Sequence, residues 1–267
     1  MILSTQVGPA ALARSHGHKN GHKKVVKHQA SRGAVLWGSN FENGHLGIYK
    51  TVRKEGGGLH GSHVITTERA RTGRRSMKIT VPADPSRHTS DRYQLAAGMP
   101  NGVDGDERWY GFSMALGHDW NLRQIKDNRS YFFSVFGFRY SGPSTNGPGG
   151  NLDADLIGGA PRFLIGSNLS GAPGADHVGE AMLGNVVKGR WMDFVVHIKW
   201  SRRGDGFREV WRNGVKARSY HGRTLGIGAP FEHRIGLYQG VGVEHTRTLY
   251  VDNHRVGTSY AAVDPSR

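Results

Sequence analysis

The chain of 267 residues has no cysteine, which excludes a disulfide framework and any cysteine-ligated metal. Stability in an oxidising compartment must then come from a large buried core, which a chain of this length can build. Acidic residues are few: 21 Asp and Glu against 36 Lys and Arg leave a formal net charge of +15. No stretch approaches the ~18 apolar residues that a membrane span needs. Missing too are a Walker-type phosphate loop, a G-x-S-x-G elbow, an H-E-x-x-H pair and any paired-cysteine zinc signature. Carboxylates do not pair along a strand in an E-x-D-x-x-E pattern, and Glu209 and Glu232 stand apart. Retaining glycoside hydrolysis needs two carboxyl groups about 5–5.5 Å apart, so that chemistry ranks low.

The excess positive charge is present in both parts of the chain. Six basic residues (Arg14, Lys19, Lys23, Lys24, Lys27 and Arg32) and no acid fall in the first 36 positions, leaving nine of the fifteen excess charges on the remainder. A positive field concentrates anionic partners: nucleic acid, an anionic membrane or an acidic polysaccharide. A merely soluble basic surface is the alternative. Residues 1–13 read as the remnant of a secretory signal peptide, since "STQVGPAALA" is small and apolar and ends in Ala11-Leu12-Ala13 before Arg14. Residues 14–36, with His16, His18, His22 and His28, are too polar to bury a core and are expected to form a disordered tail.

From Trp37 onward the hydrophobic period is two. In "WMDFVVHIKWS", Met192, Phe194, Val196, Ile198 and Trp200 share one face and Trp191, Asp193, Val195, His197 and Lys199 the other. Asn213-Gly214 marks a hairpin turn. With 40 glycines and many short alternating runs, residues 37–267 are expected to form one all-β sandwich of a dozen or more strands, with no helix beyond short turns such as "NLRQIKDN". "SGPSTNGPGGNLDADLIGGAP" and "SNLSGAPGADHVGEAMLG" are rich in Gly and Pro and read as long loops.

Several segments resemble the jelly-roll polysaccharide lyases, in particular the heparin lyase I-like group that includes glucuronan lyases. "GRWMDFVVHIKWSRRGDGFREVWRNG" is similar to that group's W-x-D-x-V-x-H-x-x-W-S and D-G-x-x-E-V-W-x-N-G segment. "HRIGLYQG" resembles its K-x-G-x-Y strand, and "LYVDNHRVGTSYAAVDP" its closing strand. The resemblance implies a β-jelly roll, a concanavalin-like sandwich of two antiparallel sheets with a concave groove. It implies a secreted enzyme that cleaves an acidic, uronate-containing polysaccharide by β-elimination, glucuronan first. A non-catalytic carbohydrate-binding sandwich is the alternative. Neither nucleic acid nor a membrane is an expected partner, and a monomer is expected.

Such a reaction needs a cation or amide donor at the C6 carboxylate, a base for the C5 proton and an acid for O4. In "HRIGLYQG", Arg234, Gly236 and Tyr238 have one parity and His233, Ile235 and Leu237 the other. The resemblance gives Tyr238 the acid or base role and Arg234 a substrate-binding one. In "RHTSDRYQL", His88, Arg92 and Gln94 share a parity: Arg92 for holding the carboxylate, Gln94 for orienting it, His88 as a base. Related alginate lyases carry Q-x-H on a further strand, where this chain has Ser134-Val135-Phe136. The base is thus left open among His88, His63, His60, His177 and Tyr238 itself. Arg139, His63 and His177 are further substrate-binding candidates. No cofactor is needed for the chemistry. Glu42 in "FENG" and Asp252 in "VDN" are candidate ligands of a structural calcium ion, with a surface salt bridge as the alternative.

Overall fold

The computed structural model describes residues 33–55, 61–83, 91–97, 104–121, 133–140, 148–157, 160–168, 177–225, 231–239 and 245–267. The compact unit spans Arg32–Arg267. The signal-like segment and nearly all of the His/Lys tract lie outside the described residues, as does "NLRQIKDN" beyond its first residue. No helix among the described residues is long and apolar enough to cross a membrane.

Among the described residues fifteen strands follow in order: β1 (Val35–Ser39), β2 (Tyr49–Glu55), β3 (Ser62–Thr66), β4 (Ser76–Val81), β5 (Asp91–Ala97), β6 (Glu107–Leu116), β7 (Phe133–Tyr140), β8 (Pro148–Ile157), β9 (Ala160–Asn168), β10 (His177–Asn185), β11 (Trp191–Lys199), β12 (Phe207–Arg212), β13 (Val215–His221), β14 (Phe231–Gln239) and β15 (Arg247–Gly257). A four-residue helix, α1 (Tyr260–Val263), follows. One sheet runs β13-β12-β11-β6-β15-β4-β3, with β1 also paired to β15. The other runs β10-β9-β8-β7-β14-β5-β2. The strand pairings within both sheets are antiparallel, and the architecture is the expected β-jelly roll.

The period-two reading of β11 places its residues correctly. Met192, Phe194, Val196 and Ile198 lie in the core between the sheets with Trp200 just beyond the strand, and the opposite set faces outward. Phe112 and Phe194 are register partners on the first sheet, and Phe136 of the second stacks on Phe112 with ring centres 4.5 Å apart. Burying each such ring contributes roughly 1.5–3 kcal/mol. Asn213 and Gly214 both take positive φ, 50° and 79°, which closes the β12–β13 hairpin.

Three expectations need correction. β1 begins at Val35, inside the expected tail, because Val35–Ser39 finds the free edge of β15. β8 and β10 occupy segments that read as loops. Their Gly and Pro residues hide a short alternation: in β8, Leu152, Ala154 and Leu156 alternate with Asp153 and Asp155, and Leu152 is buried. α1 was not anticipated either. It is capped by Ser259, whose hydroxyl accepts the Ala262 N–H at 3.2 Å.

Candidate active site

β14 and β5 are neighbours in the seven-stranded sheet, and their register settles which residues meet. Tyr238 pairs with Arg92, Gly236 with Gln94, and Arg234 with Ala96. The alternate residues Ile235, Leu237, Tyr93 and Leu95 all belong to the core. Arg92, Gln94, Arg234 and Tyr238 therefore share the face turned away from it. β7 adds Ser134 opposite Tyr238 and Gly137 opposite Arg234, and β8 continues the row with Asp153 and Asn151.

The guanidinium carbon of Arg92 lies 4.4 Å from the centre of the Tyr238 ring. The attraction between a cation and the ring's π face holds the phenol in place beneath the charge. Tyr238 is half-buried, while Arg92, Gln94 and Arg234 are only 8%, 2% and 7% exposed. Charges so far removed from bulk water act on a bound group more strongly than surface charges do. The Gln94 Oε1 atom is buried and has no hydrogen-bond partner among the described residues, so it is an acceptor ready for a ligand's donor. This face combines two guanidinium groups, a carboxamide and a phenol, which suits an anionic ligand undergoing proton transfer.

Gly236 does more than leave room between Arg234 and Tyr238. Its φ is 142°, and a Cβ there would lie 2.5 Å from the Tyr93 carbonyl oxygen and 2.8 Å from the Gln94 Cα. The pairing of β14 with β7 shifts register between Ile235 and Tyr238, so the glycine sits within a bulge that aims Tyr238.

The structure does not bring every candidate to this face. His63 lies on β3 of the other sheet, and its Nδ1 is hydrogen-bonded to the Tyr93 hydroxyl at 2.7 Å. Tyr93 points from β5 into the core, opposite to Arg92 and Gln94, so His63 belongs to the space between the sheets. Burial pushes the Tyr93 phenol upward in pKa. His88 and His60 lie outside the described residues, as do the side chains of His177 and Arg139, which sit at the start of β10 and on β7.

Glu42 and Asp252 meet around the loop at residues 71–75. Glu42 Oε1 accepts the backbone N–H groups of Arg74 at 2.9 Å and Arg75 at 2.8 Å, and these bonds hold its carboxyl below the usual range. Asp252 is fully buried and accepts N–H groups from Arg71 at 2.8 Å, Thr72 at 3.3 Å and Asn253 at 2.7 Å. Burial raises its pKa in spite of these bonds, and the charge of Glu42 adds to the rise. Asn253 Oδ1, next along the chain, is buried with no partner among the described residues. Two neighbouring carboxylates and an orphaned amide oxygen fit a hard cation such as calcium. The described residues hold no group of three or more acidic, His or Cys side chains able to bind a metal, so backbone or amide oxygens would have to complete such a site.

Sequence reading missed the row from β8, because Asp153 and Asn151 lie in a segment taken for a loop. It also passed over Asn253, whose positive φ of 49° gives no signal in an otherwise regular strand pattern.

A family model described as polysaccharide lyase matches residues 41–255. Among solved structures, the endo-β-1,4-glucuronan lyase from the fungus Trichoderma reesei matches with a TM-score of 0.67 at 22% identity, over 87% of this chain and 99% of that one. The alginate lyase Aly36B matches with a TM-score of 0.57 at 15% identity, over 83% and 96% of the two chains. The cellulose induced protein Cip1 matches at 0.50 with 12% identity, over 83% and 97%. No protein of curated function matches the sequence. At these identities the structural likeness speaks for the fold, while the family match covers most of the chain, including the strands that carry Arg92, Gln94, Arg234 and Tyr238. The chain belongs to the polysaccharide lyase family.

Proposed function

We propose that the enzyme cleaves a uronate-containing polysaccharide, glucuronan foremost, by β-elimination on the face that carries Tyr238. The observation behind this reading is the Arg92 guanidinium 4.4 Å from the Tyr238 ring centre, with Gln94 and Arg234 on the same water-poor face. The fold shared with a glucuronan lyase and an alginate lyase supports a uronate as substrate.

In the reaction the proton at C5 is removed, its electron pair becomes the C4=C5 double bond, and the C4–O4 bond breaks as O4 takes up a proton. The C6 carboxylate opposes the first step, since its negative charge repels the electrons gathering at C5. Arg92 offsets that charge through a two-pronged contact, and the Gln94 amide NH2 donates to the same carboxyl group while its Oε1 accepts from a sugar hydroxyl. Arg234 binds the chain alongside. Tyr238 is the proton-transferring group: acting as the phenolate, its oxygen takes the C5 proton, and the phenol so formed gives that proton to O4. No histidine side chain among the described residues of this face competes for the task. One group serves both transfers only where H5 and O4 lie on the same side of the sugar ring. Glucuronate and mannuronate meet that condition when linked through O4; their C5 epimers, iduronate and guluronate, do not. The reading places the enzyme outside the cell, where such polymers lie, and gives Glu42 and Asp252 a structural calcium ion.

The test is to incubate the protein with glucuronan, mannuronate-rich and guluronate-rich alginate, hyaluronan and heparin, following the ultraviolet absorbance of the unsaturated uronate together with reducing ends. Absorbance should grow on glucuronan and mannuronate-rich chains and not on guluronate-rich ones. New reducing ends without absorbance would mean hydrolysis, and binding with neither product would mean a carbohydrate-binding module.

A further inference from the structure

On the outer face of the eight-stranded sheet, a part of the molecule the lyase chemistry leaves unused, there is a half-open cleft of about 430 Å³. Its walls include Trp191 and Asp193 of β11, Trp211 of β12, the turn residue Asn213, Arg71 and Tyr260 of α1. The volume falls in the range of small-ligand sites and accommodates a short oligosaccharide.

The floor is polar and fixed. Arg71 grips Asp193 with two prongs, Nε to Oδ1 at 3.0 Å and Nη2 to Oδ2 at 2.8 Å. The Ser113 hydroxyl donates to the same Oδ1 at 2.7 Å, and Asn213 Oδ1 accepts the Asp193 N–H at 2.9 Å. The walls are aromatic. Trp211 and Tyr260 lie 5.5 Å apart at 66° and pack with Trp109 against Val195, Ala262 and Val263, which fastens α1 to the sheet. Gly111 permits this docking, because a Cβ there would meet the Val263 carbonyl oxygen at 1.9 Å. Trp191 has no part in that cluster. It is partly exposed at the start of β11, with the Arg69 guanidinium 6.0 Å from its ring centre. A large aromatic side chain with no core to serve, set beside a rigid polar floor, is a stacking surface for the C–H face of a sugar ring.

Charge selects the kind of sugar. Arg71 is neutralised by Asp193, and Asp264 at the cleft's edge by Arg267 at 3.3 Å. Among the described residues lining the cleft Arg71 is the one cation, and it is paired, while Arg69 lies outside the lining with its guanidinium held by the Gly189 carbonyl at 2.8 Å. The lining thus offers a uronate no free positive charge. We propose that this cleft is a second carbohydrate site, specific for neutral hexose units, on the opposite sheet from the Tyr238 face. It holds the enzyme to uncharged polysaccharide while the other face works on a charged chain. The inference stands independently of which uronate is cleaved.

Titrating the full-length protein with cellohexaose, with mannohexaose and with a glucuronan hexamer tests it, using calorimetry and the indole N–H signals in NMR spectra. At least one neutral hexamer should bind, shift the indole signals of Trp191 and Trp211, and resist added salt. Trp191→Ala should weaken it by about tenfold or more, the loss of one stacking face. Trp191→Tyr should restore part of the affinity, and Tyr238→Phe should leave it unchanged. Turnover of short soluble uronate oligomers by Trp191→Ala should match that of the parent enzyme. The proposal fails if neither neutral hexamer binds, if binding survives Trp191→Ala, if it is lost in Tyr238→Phe, or if the glucuronan hexamer is the ligand that moves the Trp191 signal. Should Trp191→Ala not fold, the indole shifts of the parent protein decide.

Discussion

Arg92 and Tyr238 face each other across neighbouring strands, register partners on β5 and β14, with the guanidinium carbon 4.4 Å from the phenol ring centre. The contact involves the ring, so it survives removal of the hydroxyl. Tyr238→Phe should therefore keep substrate affinity within about twofold while turnover falls by roughly 10²–10⁴, the usual worth of a positioned acid or base. Binding measured by calorimetry and turnover measured by ultraviolet absorbance separate the two effects. A Phe variant that still turns over would remove Tyr238 from the chemistry.

Gly236 should tolerate no side chain. At φ 142° a methyl group is strained on its own backbone, and it would also press on the Tyr93 carbonyl 2.5 Å away. Backbone strain of this kind costs about 1–3 kcal/mol. In a domain of this size each kcal/mol lowers the melting midpoint by about 2–4 °C. Gly236→Ala is expected to melt several degrees lower and to lose activity out of proportion, because the bulge that aims Tyr238 must shift. A variant as active and as stable as the parent would show that the bulge has no such role.

The face with Arg92, Gln94, Arg234 and Tyr238 was legible because β14 and β5 pair in unbroken register, so that residues i and i+2 of each share a side. Parity says nothing about which sheet a strand joins, and that is why His63 looked eligible. It sits on β3, across the core from β14's outer face, and its partner is Tyr93. β8 and β10 were hidden for a different reason. Glycine and proline weaken strand propensity, yet the burial of Leu152 and the pairing of β8 with β7 and β9 override it. The Trp191 cleft was half visible, since the outward set of β11 was clear, but its far wall comes from α1 and Arg71, which only the fold brings there.

Calcium should stabilise the fold through Glu42 and Asp252. Asp252 is buried and its pKa is raised, first by burial and further by Glu42, so a bound cation would relieve an electrostatic cost. A ligand that binds only the folded state stabilises it by about 2.7 kcal/mol at a hundred times its dissociation constant. Thermal melts in calcium and in excess chelator should then differ by several degrees. Asp252→Asn should abolish that difference, and its melt in chelator should also fall, because the amide NH2 replaces one of two oxygens that accept buried backbone N–H groups. Identical melts for the parent protein in the two buffers would mean that the backbone N–H groups of residues 71–75 and of Asn253 satisfy these carboxylates without a cation.

The core also carries a titratable pair that ought to limit stability in acid. His254 is fully buried, shares a hydrogen bond with the Tyr49 hydroxyl, and lies 5.0 Å from the ring of His233. Burial, and then the neighbouring His233, pushes its pKa well below the ordinary histidine value. In the unfolded chain the same imidazole titrates near ~6.5. Between that value and its depressed folded one, the unfolded state binds more protons than the folded state. Stability is thus fully present above about pH 6.5 and declines as pH falls through the window beneath it, until the folded pKa is reached. Denaturant midpoints at pH 8, 7, 6 and 5 should trace that fall. In His254→Leu the Tyr49 hydroxyl loses its partner, so this variant should be less stable at pH 8 by about 1–3 kcal/mol. Its midpoint should nevertheless change less between pH 7 and 5 than the parent's, because the group that drives the proton uptake is gone. Parallel pH profiles for the two proteins would assign the acid sensitivity to other groups.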